Sequence, residues 1–119
     1  MSYLSTLIDA GQLLSDLADE QAEWSQKTFG TDQMRGPIGA LRHLEKEARE
    51  AQEHPGDAME YADCFLLILD AARRAGIKPM ELMRHAEAKM KINKGSQVAS
   101  AKRRYGRRAL QRIGKSPDT

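Results

Sequence analysis

The sequence predicts an all-α fold, a helical bundle of four to five helices, from three observations. Apolar residues recur at intervals of three and four residues through most of the chain. No segment alternates apolar and polar residues with the period of two that a half-buried strand requires. Turn-forming residues cluster at positions 29–37, 54–57 and 76–79, where short connections would join antiparallel helices.

The first two predicted helices are separated by a segment rich in turn-forming residues. Residues 3–28 contain no proline and place apolar side chains on one stripe, which predicts a long first helix. Residues 29–36 interrupt this spacing, and Pro37 suits the first turn of a helix because the N–H that it lacks would have no partner there. The second helix is therefore predicted over residues 37–53.

The next two helices are delimited by glycine and proline. A compact turn at residues 54–57 precedes the third predicted helix, residues 59–75. Gly76 follows at the position where a left-handed residue commonly ends a helix. Pro79 then opens a fourth helix, which is predicted to end at about Ile92.

The end of the chain is predicted to form a separate basic element. Residues 93–96 are expected to end the fourth helix, and residues 98–113 form either a fifth, basic helix or a largely disordered tail. We accordingly predict one domain over residues 1–95, followed by a basic helix or tail over residues 96–119.

The chain is long enough for one domain but too short for a large core. At 119 residues it buries only about two-thirds of its unfolded surface, so we expect self-association as a dimer or tetramer to complete the bundle. Hydrophobic residues make up 40% and charged residues 30%, which excludes a disordered chain. The longest apolar run, residues 64–69, is far shorter than the roughly 20 residues that span a bilayer. We expect a cytoplasmic protein.

Charge is divided unevenly along the chain. Residues 1–100 carry 12 basic and 16 acidic side chains, whereas residues 101–119 carry 7 basic and 1 acidic. The two regions are therefore expected to face different partners. The basic tail is interpreted either as a solvated segment or as a contact to nucleic-acid phosphates.

Two acidic pairs are the strongest chemical signal in the sequence. Glu47 and Glu50 lie three residues apart on the second predicted helix. Glu60 and Asp63 have the same spacing on the third. Residues three apart share a helix face, and the short turn makes the two helices antiparallel neighbours. The four carboxylates are therefore expected to face one another between the helices.

The surroundings of these carboxylates favour a bound cation. The third helix is apolar on every face after Asp63, which predicts that it is buried against its neighbours. A buried carboxylate must be protonated, paired with a base or bound to a cation, because an unpaired buried charge is costly. Four converging carboxylates indicate the cation, and ligands that are all oxygen favour Mg²⁺ or Mn²⁺ over zinc.

The acidic pairs belong to a longer pattern that runs through residues 20–94. Its segments are Trp24 to Gly30, Arg35 to Pro37, Leu44 to Glu50, Glu60 to Asp63, Leu69 to Gly76, and Lys89-x-x-x-Asn93. The acidic pairs resemble the motif of the MazG-like, all-α nucleoside triphosphate pyrophosphatase superfamily. The segments together, in this order, resemble its dATP/dGTP pyrophosphohydrolases, the MazZ-like subgroup of bacteria and phages.

The resemblance implies a hydrolase of a purine deoxynucleoside triphosphate, dGTP or dATP. Cleavage between the α- and β-phosphates would release the monophosphate and pyrophosphate. Two or more Mg²⁺ ions on the four carboxylates would neutralise the triphosphate and activate a water. No residue distinguishes guanine from adenine, or identifies the general base.

Four further residues are candidates for contacts to the nucleotide. Trp24, the only tryptophan, either stacks on the base or packs against the end of the first helix. Arg35 either closes over phosphates or is an exposed loop arginine. The resemblance implies that Lys89 and Asn93, four residues apart on one helix face, meet phosphate and sugar; a solvated helix end is the alternative.

Three other polar residues near these positions are expected to be structural. His43, one turn before Glu47, is interpreted as making a hydrogen bond at the helix interface rather than ligating metal. Asp70 is expected to pair with an arginine. Cys64, the single cysteine, lies in the apolar run and is expected to be a buried, inert thiol.

Two other kinds of protein remain compatible with the sequence. A non-enzymatic helical module that binds nucleic acid or protein through its basic tail would show salt-dependent binding and no metal-dependent turnover. A structural bundle whose acidic pairs are merely solvated would not be stabilised by Mg²⁺ or Mn²⁺.

Overall fold

The computed structural model describes the backbone of residues 3–105 and the side chains of residues 9–96. Within that part of the chain it contains four helices and no strand, which confirms the all-α prediction. The helices are α1 (Tyr3–Phe29), α2 (Ile38–Glu53), α3 (Ala58–Arg74) and α4 (Pro79–Tyr105). The first three agree with the predicted helices to within one residue at each end.

The helix α3 is central to the first of two compact units, Met1–Leu82 and Met83–Thr119. It packs against α2, and less extensively against α1. Because only residues 54–57 join α2 to α3, the two helices lie side by side and antiparallel. This hairpin determines which side chains face one another in the site described below.

Both ends of α3 are capped by residues suited to that purpose. The Asp57 side chain accepts a hydrogen bond of 2.9 Å from the backbone N–H of Met59. At the other end Gly76 has φ of +85°, and its N–H donates to the carbonyl of Arg73 at 2.8 Å. The N–H of Ile77 donates to Ala72 at the same distance, which completes a Schellman motif. The predicted role of Gly76 is confirmed.

The helix α4 is longer than predicted. It continues through residues 93–96, where the prediction placed its end, and stops only at Tyr105. A single interior glycine, Gly95, costs about 1 kcal/mol relative to alanine, and Asn93 and Ser96 each add less than about 0.7 kcal/mol, which is too little to stop a helix that continues on both sides. Residues 98–105 are therefore part of α4 rather than of a fifth helix. The rest of the predicted fifth helix, residues 106–113, lies outside the described residues.

The core of the first unit is small and partly polar. Among the described side chains, the buried apolar ones are Ala40, Leu69 and Ala71, and the buried polar ones are Gln21, Ser25 and Asp70. The prediction that α3 is buried on every face was wrong, because one short chain cannot cover all of it: Phe65 is 43% exposed and Cys64 is only half-buried. No helix in the described residues has both the length and the apolar character needed to cross a membrane.

Candidate active site

The turn between α2 and α3 determines how the acidic residues of the two helices meet. The Tyr61 hydroxyl donates a 2.7 Å hydrogen bond to the carbonyl of Pro55, which ties the first turn of α3 back to the connection. The N–H of Asp57 also donates to the carbonyl of His54 at 3.0 Å. These bonds determine how α3 is aligned with α2.

Three of the four predicted carboxylates converge between the two helices. Glu47 of α2 and Glu60 and Asp63 of α3 each place one carboxylate oxygen within 4.8 Å of the others. Glu47 and Glu60 are half-buried and Asp63 is exposed. Among the described residues, none of these three forms an ion pair with a lysine or arginine, so their charges meet chiefly one another.

Glu50 lies beside this trio without joining its closest set of oxygens. Its influence appears in the pKa of Glu60, which is raised above the ordinary value. Partial burial is the largest cause, followed by the negative charges of Glu50, Asp57, Asp63 and Glu47. The site therefore concentrates negative charge, and a bound cation would reduce the repulsion between its carboxylates.

His43 extends the cluster toward α1. Its Nε2 lies 3.1 Å from Oε1 of Glu47, one helical turn away, which confirms the expected hydrogen bond. Glu47 belongs to the acidic cluster, so this bond restrains the orientation of a carboxylate that the sequence predicted to bind metal. His43 is exposed, and the structure gives it no place in the carboxylate trio itself.

A cleft of about 330 Å³ opens next to the cluster, between α1, α2 and α3. Glu47 and Asp63 form part of its wall. The other lining residues are Leu17, Glu20, Gln21, Trp24, Ser25, Phe29, His43, Leu66, Leu67 and Asp70. The cleft is thus lined both by acidic side chains, which include Glu47 and Asp63, and by apolar and aromatic side chains, which include Trp24 and Phe29.

Trp24 supplies a large flat surface to this cleft. Its side chain is 58% exposed, and its ring meets Phe29 edge to face, with the ring centroids 5.5 Å apart and an angle of 86° between the planes. Trp24 does pack at the end of α1, as one of the two interpretations expected. Because more than half of the side chain stays exposed, packing does not exclude a ligand on the indole.

A second cleft, of about 550 Å³, adjoins the first and shares four lining residues with it, Phe29, His43, Leu67 and Asp70. Arg35 lines this second cleft, between the end of α1 and the start of α2. Its side chain also lies against Gly30, where a Cβ would meet the Arg35 side chain at 3.6 Å. Gly30 itself has φ of +111°, a backbone conformation that residues other than glycine rarely adopt.

The loop that carries Arg35 is held by an arginine that is almost completely buried. The side chain of Arg74 is only 3% exposed. Its guanidinium donates to the carbonyls of Gly30, Thr31 and Arg35 at 3.1, 3.3 and 3.2 Å. It also donates to the Ser25 hydroxyl at 3.0 Å. One side chain at the end of α3 thus joins α1 to the whole 30–35 loop.

Asp70 is the acceptor at the centre of this network. It receives hydrogen bonds from Arg73 at 2.6 Å, from Arg74 at 3.1 Å and from Gln21 at 3.1 Å. Arg73 also pairs with Asp32 of the loop at 3.1 Å. Burial favours a raised pKa for Asp70, but hydrogen bonds from Ser25, Arg73, Gln21 and Arg74 outweigh it and the pKa is lowered. The predicted pairing of Asp70 with arginine is confirmed.

The remaining two candidates, Lys89 and Asn93, lie in the second unit. Both are exposed on α4, four residues apart and therefore on one face of the helix. The structure thus brings Glu47, Glu60 and Asp63 together and places Trp24 in the adjoining cleft. Lys89 and Asn93 keep the spacing on which the prediction depends.

Several residues of the site escaped the sequence analysis. Phe29 shares the cleft wall with Trp24, and Gln21 and Ser25 contact the charged network. Gln21 and Ser25 are four residues apart, a spacing that places them together on α1. No sequence signal marked Arg74 as the residue that binds the 30–35 loop, because its acceptors are backbone carbonyls 39 to 44 residues away.

Comparison with known proteins shows which family the chain is similar to. The sequence model of a family described as dATP/dGTP pyrophosphohydrolase matches residues 17–116. The Eaa protein of Salmonella phage P22 is 49% identical over 78 residues, which make up 66% of this chain and 24% of that protein. The chain thus spans about a quarter of the length of this curated relative. No solved structure matches the chain significantly.

Proposed function

Because this chain belongs to the dATP/dGTP pyrophosphohydrolase family, a family of enzymes, we propose that it cleaves a purine deoxynucleoside triphosphate, dGTP or dATP. The products are the nucleoside monophosphate and pyrophosphate. The observation that supports this most strongly is the convergence of Glu47, Glu60 and Asp63 within 4.8 Å, beside a cleft that Glu47 and Asp63 line together with apolar and aromatic side chains. A nucleotide has the same two parts, a charged triphosphate and a flat base.

The carboxylate cluster suits a divalent metal ion. Its donors are all oxygen, which Mg²⁺ prefers and Mn²⁺ accepts. Partial burial, and after it the negative charges of Glu50, Asp57, Asp63 and Glu47, raise the pKa of Glu60, and a divalent ion would offset the repulsion among these carboxylates. Glu47, Glu60 and Asp63 would hold the ion, with Glu50 beside them. A bound divalent ion supplies positive charge to a triphosphate that four carboxylates would otherwise repel.

The protein groups around the cluster orient the reactants. Glu47, restrained by His43 at 3.1 Å, is held where its carboxylate can bind metal or accept a proton from water. In the proposed hydrolysis a water attacks the α-phosphorus and loses a proton while pyrophosphate leaves, and the carboxylate cluster is the group proposed to orient that water.

The aromatic part of the cleft, formed by Trp24 and Phe29, is the proposed binding site of the base. The exposed face of Trp24 stacks on the purine, and Phe29 supports the indole edge to face. Arg35, on the adjoining cleft, contacts the phosphates. Lys89 and Asn93 are assigned to phosphate and sugar by resemblance alone.

Self-association is part of the proposal because the chain leaves much apolar surface uncovered. Among the described residues, large exposed hydrophobic side chains include Leu13, Met34, Ile38, Met59, Phe65 and Met80. Their exposure ranges from 43% for Phe65 to 78% for Met34. A dimer or tetramer would bury part of this surface and would deepen the cleft. We place the protein in the cytoplasm of a bacterium or of a phage-infected bacterial cell.

Pyrophosphate release tests the proposed reaction directly. Each common deoxynucleoside and ribonucleoside triphosphate is incubated with the protein in Mg²⁺, Mn²⁺ or EDTA. We expect metal-dependent release that is fastest with dGTP or dATP. Asp63→Asn should slow it roughly 100-fold or more, since removing a group that acts on the reacting centre typically costs at least that much.

A matched control separates the site from general acidity. Glu45 is an exposed carboxylate on α2, two residues from Glu47 and outside the cluster. Glu45→Gln changes the net charge by the same amount and should leave turnover within about twofold, as expected for a surface substitution of less than about 0.5 kcal/mol. If no triphosphate is cleaved by folded, metal-supplied protein, the enzymatic proposal is wrong.

A further inference from the structure

The division of charge coincides with the structural division of the chain. The first unit, Met1–Leu82, carries 8 basic and 15 acidic residues, whereas Met83–Thr119 carries 11 basic and 2 acidic residues. Within the second unit, residues 88–117 contain ten lysines and arginines and no acidic residue. We call residues 83–105, the part of this unit whose backbone the structure describes, the basic arm. Its only acidic residue is Glu87, and the excess of positive charge that follows gives a strong local electrostatic potential.

The described part of the basic arm has no buried face. Every side chain from Met83 to Ser96 is exposed, and basic and polar residues occur on all sides of this part of α4. A helix that is polar all round does not stabilise itself through an apolar stripe. The same feature argues against a membrane surface, because helices that lie in lipid present a broad apolar face.

The continuity of α4 arranges basic positions along one helix. Because the helix runs on to Tyr105, residues 83–105 form a helical segment about 35 Å long, close to the length of one turn of duplex DNA. Positions 84, 91 and 102 are separated by seven and eleven residues, close to two and three helical turns. Arg84, Lys91 and Lys102 therefore occupy one face of the helix in register.

We propose that the basic arm binds nucleic acid through its phosphate backbone, without reading the base sequence. Repeated lysines and arginines at helical spacing match the repeated negative charge of a polynucleotide. A specific protein partner would instead require a buried apolar anchor at the centre of its contact. In the described part of the arm Met83 and Met90, seven residues apart, share one face, but the charged Glu87 lies between them and Ile92 lies on another side, so the apolar side chains form no continuous patch.

Fluorescence anisotropy with labelled 30-mers of duplex DNA, single-stranded DNA and RNA tests the proposal. The full chain is used in EDTA, so that cleavage of triphosphates plays no part in the result. We expect binding at 50 mM salt that weakens roughly 100-fold or more at 200 mM, which corresponds to release of counterions from about four phosphates or more. The three probes show whether the arm prefers duplex, single strand or RNA.

A triple variant tests the part played by the arm. Lys102→Ala with Arg103→Ala and Arg104→Ala should weaken binding at least tenfold and reduce the salt dependence by about three phosphate contacts. A charge-preserving variant, Lys102→Arg with Arg103→Lys and Arg104→Lys, should bind almost as well as the original chain. It shows whether the loss comes from charge rather than from a change in folding.

The matched control removes three positive charges from the first unit. Arg42, Lys46 and Arg49 are exposed on α2, and their replacement by alanine should leave binding almost unchanged. Equal weakening in this control and in the arm variant would overturn the proposal, because binding would then follow net charge alone. Absence of binding at 50 mM salt would also overturn it. So would a salt-sensitive change of oligomeric state in the arm variant without nucleic-acid binding, since the arm would then contact a second copy.

Discussion

The two halves of α3 carry charged groups that are organised in opposite ways. Near its start, Glu60 and Asp63 lie with Glu47 in a cluster of like charge. Near its end, Asp70 lies between Arg73 and Arg74, and the opposite charges are matched by ion pairs of 2.6 and 3.1 Å. The matched charges near the end of α3 stabilise the fold, whereas the unmatched charges near its start form the site that we propose for a cation.

The pKa values of the two groups point in opposite directions. Burial and neighbouring carboxylates raise the pKa of Glu60, whereas hydrogen bonds outweigh burial and lower that of Asp70. A lowered carboxyl pKa stabilises the folded state at neutral pH, and a raised one destabilises it. Folding therefore benefits from the Asp70 network and is opposed by the acidic cluster. Retention of an unfavourable cluster is typical of functional sites.

The largest expected effect comes from breaking the matched group. Arg74→Met removes one of the two arginines that pair with Asp70, which keeps its bonds from Arg73 and Gln21, and it removes the donor to the carbonyls of Gly30, Thr31 and Arg35. Loss of one partner of a buried pair costs about 3–5 kcal/mol, a large part of the free energy of unfolding of a small domain. Urea denaturation measures the change. Arg49→Met, at an exposed arginine of α2, should cost no more than about 0.5 kcal/mol.

The next largest effect is expected from Trp24, which lines the cleft beside the carboxylate cluster. Trp24→Ala should raise KM for a purine deoxynucleoside triphosphate by roughly 5- to 100-fold, since stacking of a base on an aromatic ring contributes about 1–3 kcal/mol. The turnover number should change little, because the indole does not touch the reacting phosphates. Trp24→Phe keeps an aromatic face and should restore most of the affinity. If KM is unchanged in the alanine variant, Trp24 packs against Phe29 but does not bind the base.

A smaller effect is expected from acid. The stabilisation by Asp70 is present above the pKa that this carboxyl has in the unfolded chain, about 3.9, and is lost as pH falls through the lower pKa of the folded state. Unfolding by urea, followed from pH 6 to pH 2, should therefore show a fall in stability below about pH 4. In Asp70→Asn that part of the pH dependence should disappear. If the two profiles fall in parallel, other carboxyls cause the acid sensitivity.

The smallest effect is a gain in stability from the acidic cluster. Because the pKa of Glu60 is higher in the folded chain than in the unfolded chain, folding is favoured while this carboxyl is protonated. That contribution to stability is complete below the unfolded pKa and is lost as pH rises through the folded pKa. Glu60→Gln should consequently raise the urea midpoint at pH 7 in EDTA, by less than Arg74→Met lowers it. The gain should vanish near pH 3, where the carboxyls are protonated. A loss of stability at pH 7 would mean that Glu60 is structurally required.

Local rules were sufficient to predict most of the fold. The helical spacing in α1, the turn at residues 54–57 and the cap at Gly76 all depend on residues close together in sequence. The end of α4 was missed because Gly95 and the polar residues around it resemble a helix terminus, although the cost of Gly95 is only about 1 kcal/mol. The exposure of Phe65 was missed because periodicity shows which face is apolar, but not how much chain is available to cover it.

The site was predictable to the extent that helical spacing determines it. Their spacing and one short turn bring Glu47, Glu60 and Asp63 together, but the same rule also predicted Glu50, which does not join the closest set of oxygens. The pairing of Asp70 with arginine follows from the same rule, since Arg73 and Arg74 are three and four residues away. The attachment of Arg74 to the 30–35 loop depends on contacts distant in sequence, which no local rule contains.

The difference between the two halves of α3 is tested most directly by thermal unfolding in EDTA and in increasing Mg²⁺ or Mn²⁺. The original chain should melt at a higher temperature as metal is added, because an ion that binds only the folded state stabilises it in proportion to the logarithm of its concentration. Asp63→Asn combined with Glu60→Gln should lose that dependence, and the exposed control Glu45→Gln should keep it. If the double variant still responds to metal as the original chain does, or if the original chain does not respond, the acidic cluster is not a cation site.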